Sequence, residues 1–375
     1  MFPASYSLRA GEIAQRSPPG WVIGRNLPDT ALLHSNIPMA FGKIGQTLTA
    51  IEIFDLVRTD LDQVEREIGL ESIASVDALN YIGQYLQSGG GKRLRPILVL
   101  LCGKLCAKPF GPASPGLTRI AAVMEMIHTA TLVHDDVIDM AKTRRGRPSI
   151  NVVWGNHTSV LAGDWLYMQA FHVALRERNF TILDVLITLT QRMVEGELLQ
   201  LEHIGKIGVS EADYMELIDR KTASLFSACA RLGAVCANAG EDAENRLGEY
   251  AWNLGIAFQL VDDILDFTSR EKILGKPVGN DLREGKVTLP LIYALETAEP
   301  EERKLVETVL TDGNYDQVPC AKILQILNRH GSIERAQERA LSFTRKAREI
   351  IAGFPESPYQ RALTAVTDLV TDRDH

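Results

Sequence analysis

The sequence predicts an all-α protein, a single large bundle of ten or more helices around a central cavity. Apolar residues recur at intervals of three and four from Thr47 onward, which is the period of a helix that buries one face. Strand-like alternation and repeats of solenoid length are both absent from the sequence. The chain has 375 residues and 45% hydrophobic content, enough for a large core. No linker follows residue 46, so we expect one domain over residues 46–375.

Residues 1–45 depart from this pattern. The segment has little helical period and contains five prolines, so we expect a loose, disordered N-terminal arm. Its arginines and serines with few acids also fit an organelle transit peptide. The interpretation that we prefer is a cytoplasmic protein whose arm has no targeting role.

Charge and cysteine content exclude several classes of function. The net charge of −8 argues against a nucleic-acid-binding protein, and a phosphate-bearing ligand would need local cations or metal ions. No apolar run of the sequence reaches the length of a membrane span. The five cysteines show no C-x-x-C metal pattern, so we expect buried, reduced thiols.

The first two predicted helices lead into a glycine-rich basic loop. The helical period predicts helices over residues 47–69 and about 76–86. The loop at 88–96 reads SGGGKRLRP, and its proline suits the first turn of the next helix. A helix N-terminus beside Lys92 and Arg95 is a ready anion site. An ordinary basic loop would give the same pattern, and the residues alone leave both interpretations open.

A long apolar helix, predicted over residues 117–140, ends in three aspartates. Asp135 and Asp139 lie four residues apart and share a helix face, so their charges repel each other. The helix C-terminus also disfavours anions. A hard divalent ion such as Mg²⁺ between the carboxylates would offset both penalties. A solvated acidic helix end would explain this cluster equally well if it stood alone.

The same spacing recurs later in the chain. A helix predicted over residues 241–267 ends in Asp262, Asp263 and Asp266, with Gln259 three residues before the cluster. Chance repetition at the ends of two apolar helices is improbable. The repeated motif therefore predicts a site for several divalent ions with a polyanion between them.

The helices between the two clusters are predicted over residues 157–176, 180–201 and 210–236. The last of these begins with a capping box at Ser210 and Asp213. Inside it, Lys221 lies on an apolar face and needs a partner, for which a diphosphate would serve. Thr222 is expected to bend the helix by bonding back to a carbonyl group.

A loop at residues 269–286 follows the second cluster. Its glycines and charges suit a lid that closes over bound phosphates, with Lys276 and Lys286 as candidate phosphate contacts. The remaining segments, to about residue 370, are predicted to be amphipathic helices on the outside of the bundle.

These motifs together resemble the trans-isoprenyl diphosphate synthases of the polyprenyl synthetase family. The resemblance rests on the two Asp-Asp-x-x-Asp motifs, on Arg144 and Arg145 after the first motif, and on the Gly-Lys-Arg-Leu-Arg-Pro stretch before it. It covers residue 46 to the end of the chain, in the order and spacing of the family. It implies an isoprenoid-synthase type of helical bundle and an expected homodimer.

The resemblance implies head-to-tail condensation of isopentenyl diphosphate with an allylic diphosphate. Mg²⁺ ions, two or three in number, or Mn²⁺ in their place, would be bound by Asp135, Asp139 and Asp262. Orientation of these ligands, or of metal-bound water, would fall to Asp136, Asp263 and Asp266. The departing allylic diphosphate would be stabilised by Arg144, Lys221 and Lys276. Isopentenyl diphosphate would be bound by Lys92, Arg95, His128 and Arg145. The allylic cation would be shielded by Gln259 and the region of Thr222.

Product length is expected from the residues just before the first motif. Short-chain members of the family carry a bulky aromatic at the level of Ala130 and Thr131, where this chain has small side chains. The resemblance is therefore closest to the long-chain all-trans-polyprenyl diphosphate synthases, which supply quinone side chains. A geranylgeranyl or farnesyl diphosphate synthase is the alternative.

Rival functions differ in specific residues. A terpene cyclase or a head-to-head synthase would lack the Gly-Lys-x-x-Arg-Pro loop that a second, isopentenyl substrate requires. A non-catalytic subunit of a heteromeric synthase, acting as an interaction partner, would typically lose aspartates from the motifs, whereas this chain keeps all six. A helical scaffold without activity would not explain the clustered cations.

Overall fold

The computed structural model describes residues 48–107, 114–268 and 278–371. Two predictions lie outside these residues: the arm at 1–45 and the phosphate contact at Lys276. Within the described part the protein is all-α, with sixteen α-helices and two strands of two residues each. The predicted fold class is therefore confirmed.

The elements follow one another with short connections. The first helices are α1 Ala50–Glu71, α2 Asp77–Ser88, α3 Leu94–Cys106 and α4 Pro115–Ile138. A hairpin of β1 Thr143–Arg144 and β2 Arg147–Pro148 is followed by α5 Ile150–Trp154, α6 Asn156–Leu175 and α7 Phe180–His203. The next stretch consists of α8 Glu211–Ile218, a π-helical turn Asp219–Ala223 and α9 Ser224–Cys236. The last helices are α10 Glu241–Thr268, α11 Asn280–Arg283, α12 Leu289–Thr297, α13 Pro300–Asp312, α14 Cys320–Arg329, α15 Ser332–Ala352 and α16 Pro358–Thr371.

The chain forms two compact units. The first contains Leu48, Gly69–Gly91 and Met126–Gln169, and the second contains Thr49–Ile68, Lys92–Glu125 and the described residues from Ala170 onward. An apolar cluster around Ile82, Val133 and Ile150 forms a core of the first unit. The first aspartate motif thus belongs to the first unit and the second motif to the second unit.

Helix α10 is central to the core of the second unit. It packs extensively along α9 and α15, and α9 in turn packs against α3. Fifteen of its residues are buried, on more than one face, as expected for a helix surrounded by others. Because the buried face continues to its C-terminus, α10 carries Asp263 and Asp266 into the interior.

Two local features differ from the sequence predictions. The turn between β1 and β2 has positive φ at both Arg145 (53°) and Gly146 (73°), so it is a two-residue type I′ hairpin in a chain for which no strand was expected. The single helix predicted over residues 210–236 is interrupted by the π-helical turn. Its predicted capping box is confirmed, since Ser210 and Asp213 bond reciprocally.

The five cysteines match the expectation of buried thiols only in part, because Cys106, Cys236 and Cys320 are half-buried. All five cysteines are free thiols, and Cys102 and Cys229 are fully buried. Among the described helices, none combines the length and the apolar character that a membrane crossing requires.

Candidate active site

The three aspartates of the first motif have different surroundings. Asp135 is half-buried, Asp136 is buried and Asp139 is exposed just after the last residue of α4. The Asp139 amide donates to the Asp135 carbonyl oxygen (2.8 Å), so the helical path continues through the motif. The expected common face of Asp135 and Asp139 follows from this geometry.

Asp136 is held by the hairpin that follows the motif. The Arg144 guanidinium donates from both Nε and Nη2 to Asp136 Oδ1, each at 2.8 Å. The Asn151 side-chain amide donates to the Asp136 carbonyl oxygen (3.0 Å). A charge-assisted pair of this kind orients both groups. Arg144, predicted to contact the allylic diphosphate, is therefore bound to the motif itself.

The rest of the hairpin contacts the glycine-rich loop. The Arg145 guanidinium donates to the Gly90 carbonyl oxygen. Arg147 lies over the Tyr85 ring, 4.1 Å from its centroid, and donates to Ser88 Oγ (2.9 Å). Within the first unit, Arg145 and Arg147 of the hairpin thus contact the end of α2 and the start of the glycine-rich loop.

The helix upstream of the first motif carries the remaining candidates of this unit. His128 is half-buried, and its carbonyl oxygen accepts a hydrogen bond from the Thr131 hydroxyl (2.7 Å). Ala130 is fully buried and Thr131 is half-buried. The small side chains at the predicted chain-length level therefore lie inside the protein or at its edge.

The second motif is more deeply buried than the first. Asp262 is exposed, whereas Asp263 and Asp266 are buried. The Asp266 carboxylate accepts hydrogen bonds from the backbone amides of Asn280 (3.2 Å) and Asp281 (3.1 Å). Asp266 thus anchors the backbone at the start of α11.

Asp263 lies at the centre of a hydrogen-bonded chain. Its Oδ2 accepts from the Tyr214 hydroxyl (2.5 Å) and its Oδ1 from Gln259 Nε2 (2.7 Å), while Gln259 Oε1 accepts from the Thr222 hydroxyl (2.9 Å). Burial raises the pKa of Asp263 to about 7, and the hydrogen bonds from Tyr214 and Gln259 oppose that shift. A buried carboxylate with a perturbed pKa is typical of functional sites.

Within the second unit, a cavity of about 200 Å³ lies beside these hydrogen-bonded side chains. Its polar lining includes Lys221, Thr222, Gln259, Asp263, Asp281 and Lys286. Burial is the main cause that raises the pKa of Asp281. Five of these residues were singled out from the sequence (Lys221, Thr222, Gln259, Asp263 and Lys286). The structure brings them together, and the two lysines among them could bind an anionic ligand.

The π-helical turn corrects two of the sequence interpretations. Thr222 does not bond back to a carbonyl group, because its hydroxyl donates to Gln259. The Lys221 ammonium group has partners within the protein, since it donates to Glu197 and to Gln200 Oε1 (3.0 Å). The helix departs from regular α geometry at this point through a wider π-helical turn, and not through a side-chain bond from Thr222.

Close packing of α7 holds this turn in place. An added Cβ at Gly196 would lie only 2.9 Å from the Lys221 backbone nitrogen. Glycine at this position therefore permits the approach of the two backbones.

The basic residues at the end of the glycine-rich loop have two kinds of environment. Arg93 is bound by Glu65 and by Glu125 Oε1 (2.7 Å), which makes it a structural residue. Lys92 beside it is exposed, and the Arg95 guanidinium lies 5.6 Å from the Phe226 ring centroid. Lys92 and Arg95 flank the start of α3, as the sequence predicted for an anion site.

The oxygen donors of the two motifs suit a hard divalent ion. Among residues 48–107, 114–268 and 278–371, no three or more His, Cys, Asp or Glu side chains form a complete metal site. Mg²⁺ commonly takes one or two carboxylates and fills its other positions with water and substrate phosphate oxygens. Accessible carboxylates at Asp135, Asp139 and Asp262 fit that requirement.

Several residues of the site escaped the sequence analysis. Tyr214 lies two helical turns before Lys221, but no local pattern marks it as a partner of Asp263. Asp281 follows the Gly279-Asn280 pair, a spacing that could have indicated a helix start. The structural role of Arg93 can be distinguished from the roles of Lys92 and Arg95 only by its contacts with Glu65 and Glu125, which the sequence does not show.

Taken together, the fold and the site define an all-α protein whose carboxylates and cations suit metal-assisted chemistry on diphosphates. The polyprenyl synthetase family model matches residues 76–327. The chain belongs to the polyprenyl synthetase family, which makes it an enzyme of the prenyltransferase class.

Relatives match over nearly their whole length. An octaprenyl diphosphate synthase of Escherichia coli is 36% identical over 86% of this chain and 98% of its own. A short chain isoprenyl diphosphate synthase of Methanothermobacter thermautotrophicus is 34% identical over 87% of this chain and 100% of its own. The crystal structure of a decaprenyl diphosphate synthase from Rhodobacter capsulatus superposes with a TM-score of 0.82 at 34% identity, covering 87% and 100% of the two chains.

Proposed function

We propose that this protein condenses isopentenyl diphosphate head-to-tail onto an allylic diphosphate and makes a medium- or long-chain all-trans-polyprenyl diphosphate, for use as a quinone side chain. The observation that carries the proposal is that each motif combines buried, hydrogen-bonded aspartates with exposed ones. Asp136 and Asp263 are buried and held by hydrogen bonds, whereas Asp139 and Asp262 are exposed. The catalytic region is proposed to be residues 46–375.

The proposed metal ligands are Asp135, Asp139 and Asp262. Two or three Mg²⁺ ions, or Mn²⁺ in their place, would supply Lewis-acid stabilisation of the leaving diphosphate. Asp136, Asp263 and Asp266 orient these ligands through the bonds described above. This arrangement agrees with the general need of metal ligands for support from their neighbours.

The cationic side chains have two proposed roles. Arg144, Lys221 and Lys276 stabilise the negative charge that grows on the departing diphosphate when the allylic C–O bond breaks. Lys92, Arg95, His128 and Arg145 hold isopentenyl diphosphate, whose double bond attacks the allylic carbon. A proton is then lost from the new chain to the released diphosphate. Gln259 and the carbonyl region of Thr222 shield the allylic cation.

A long product is proposed from the size of two side chains. Ala130 and Thr131 leave room one turn before Asp135, where a bulky aromatic would block a growing tail. Relatives bear names for both long and short products. A geranylgeranyl or farnesyl diphosphate synthase is accordingly the second candidate.

We also propose that the protein is a homodimer in the cytoplasm. Along α7 the exposed residues Phe180, Ile187, Val194 and Leu201 recur every seven positions, which is the repeat of a helix that packs on another helix. Five thiols without a disulfide agree with a reducing compartment.

Radiolabelled isopentenyl diphosphate tests the proposal directly. The protein is incubated with farnesyl diphosphate and Mg²⁺, and dephosphorylated products are separated by thin-layer chromatography. A ladder longer than geranylgeraniol is expected, and the Asp135→Ala variant should give none. A product no longer than geranylgeraniol would favour the short-chain candidate. Absence of product without a second protein would favour a subunit of a heteromeric synthase.

A further inference from the structure

The two neighbouring aspartates Asp262 and Asp263 have opposite environments on α10. Adjacent residues on a helix point about 100° apart, and here one side chain is exposed while the other is 5% exposed. Both carboxylate oxygens of Asp263 already accept a hydrogen bond, one from Tyr214 and one from Gln259. Asp263 therefore serves as a fixed point against which the end of α10 is oriented.

We propose that Tyr214 is a positioning residue for the second aspartate motif, and that its hydroxyl holds Asp263 so that Asp262 is presented to a divalent ion. The inference rests on the proposed function, because it assumes that Asp262 binds metal. Tyr214 is 4% exposed, and its phenol oxygen lies 2.5 Å from Asp263 Oδ2. A buried hydroxyl at this distance makes a short hydrogen bond with a carboxylate.

The position of Tyr214 is itself determined by local structure. It lies in the first turn of α8, where its amide donates to the Ser210 carbonyl oxygen (3.0 Å) beside the capping box. The capped start of α8 therefore supports the phenol from one side. Asp263 is held on the other side by the α10 backbone, so the hydrogen bond joins two separate helices.

The same hydrogen bond affects the cavity. With Oδ2 of Asp263 occupied by Tyr214, Oδ1 accepts from the Gln259 amide nitrogen, and the Gln259 oxygen then faces Thr222. Loss of the Tyr214 hydroxyl would leave one buried carboxylate oxygen without this donor. Asp263 could then turn, and Gln259 and the end of α10 would lose their fixed orientation.

Tyr214→Phe removes only the hydroxyl and keeps the ring that packs in the core. The matched control is Tyr250→Phe, because Tyr250 is another buried tyrosine of the second unit, and its hydroxyl donates to the Leu363 carbonyl oxygen (2.7 Å) away from the motif. Asp262→Ala is the reference for loss of the metal ligand. Binding of Mn²⁺ in the presence of inorganic diphosphate is measured by electron paramagnetic resonance, and Tm by calorimetry.

Tyr214→Phe should weaken Mn²⁺ binding about tenfold, the lower end of the effect that supporting residues have on metal affinity. Tyr250→Phe removes a buried hydrogen bond and should lower Tm, but it should leave Mn²⁺ binding unchanged. Wild-type affinity in Tyr214→Phe, or equal weakening in both tyrosine variants, would overturn the inference. Should Tyr214→Phe fail to fold, Asp263→Asn changes the same pair from its other side, and wild-type affinity there would likewise overturn it.

The reference variant separates this inference from the proposed function. If Asp262→Ala keeps wild-type affinity for Mn²⁺, the proposed metal ligand is wrong, and the role of Tyr214 falls with it. If Asp262→Ala loses affinity and Tyr214→Phe does not, the metal site stands and only the positioning role is refuted.

Discussion

Within each aspartate motif, neighbouring carboxylates differ in burial and in hydrogen bonding, and therefore in the role that each can have. Asp136 is paired with Arg144, Asp263 is bonded to Tyr214 and Gln259, and Asp266 caps backbone amides. A carboxylate whose oxygens accept strong hydrogen bonds is oriented by them. Replacing an exposed aspartate and replacing a buried one should consequently have different effects.

Asp262→Ala and Asp266→Ala should separate activity from stability. Asp262→Ala should lower kcat by about 10²–10³-fold, the loss typical when one group that stabilises developing charge is removed, with Tm nearly unchanged because the residue is exposed. Asp266→Ala should destabilise the fold by about 1–3 kcal/mol, since one buried and one partly buried amide would lose their acceptor. Steady-state kinetics and thermal unfolding measure the two effects. Equal loss of Tm in both variants would contradict this division.

Ala130→Tyr should shorten the product toward farnesyl or geranylgeranyl diphosphate. Ala130 is fully buried one turn before Asp135, so a phenol ring there would occupy the space that a growing tail needs, at a cost of about 1–3 kcal/mol in stability. Ala130→Val, with a smaller added volume, should give an intermediate length. Chromatography of the dephosphorylated products decides, and an unchanged product in the Tyr variant would mean that the tail passes elsewhere.

The sequence predicted the aspartate motifs, but it did not predict which distant side chains form hydrogen bonds with them. The spacing of Asp262, Asp263 and Asp266 identifies them as a motif from the sequence alone. An interval of four residues places the first and the last side chain on one helix face. The contact between Tyr214 and Asp263 joins residues far apart in the chain. Such a contact depends on how α8 packs against α10, and no local pattern encodes it.

Among the secondary-structure elements, the π-helical turn has the most direct connection to the cavity. It carries Lys221 and Thr222, both of which line the cavity. Gly196 on α7 permits the turn to lie against the helix backbone. The turn is therefore a property of packing between elements, which explains why the sequence predicted a continuous helix instead.

Gly196→Ala should displace the π-helical turn. The added methyl group would lie 2.9 Å from the Lys221 backbone nitrogen, a clash that costs about 1–3 kcal/mol and moves Lys221 and Thr222. The KM for the allylic diphosphate should rise, as measured by initial rates. Gly208→Ala is the matched control, because an added Cβ there meets nothing within 4 Å. The hypothesis fails if the two alanine variants have the same kinetics.

Element boundaries were predicted well wherever a capping signal or a proline marked them. The capping box at Ser210 and the start of α3 near Lys92 follow directly from side-chain chemistry. The β1–β2 hairpin was missed because its strands have two residues each, too few to show alternation. Its Arg145-Gly146 pair carried the only local signal, a two-residue turn that favours positive φ.

On the scale of the whole molecule, an exposed apolar stripe along α7 is a feature that packing within the described residues does not explain. Phe180 is 86% exposed, and Ile187, Val194 and Leu201 follow at intervals of seven. The residues directly after them, Thr181, Thr188, Glu195 and Glu202, are polar. An apolar seam with a polar flank is the pattern of a helix that pairs with another helix. Since the same stripe is present on every copy, a two-fold related copy of the chain would match it.

If the proposed dimer forms through α7, a double substitution on the exposed apolar face of this helix should convert it into a monomer. Val194→Glu combined with Leu198→Glu places two charges on the exposed apolar face, where burial against a partner would leave them unpaired. Thr188→Glu adds a charge on the polar flank of the same helix and should leave the dimer intact. Multi-angle light scattering after size-exclusion chromatography gives the mass of each variant. A monomeric wild-type protein, or a double variant that remains dimeric at the same concentration, would show that α7 does not form the interface.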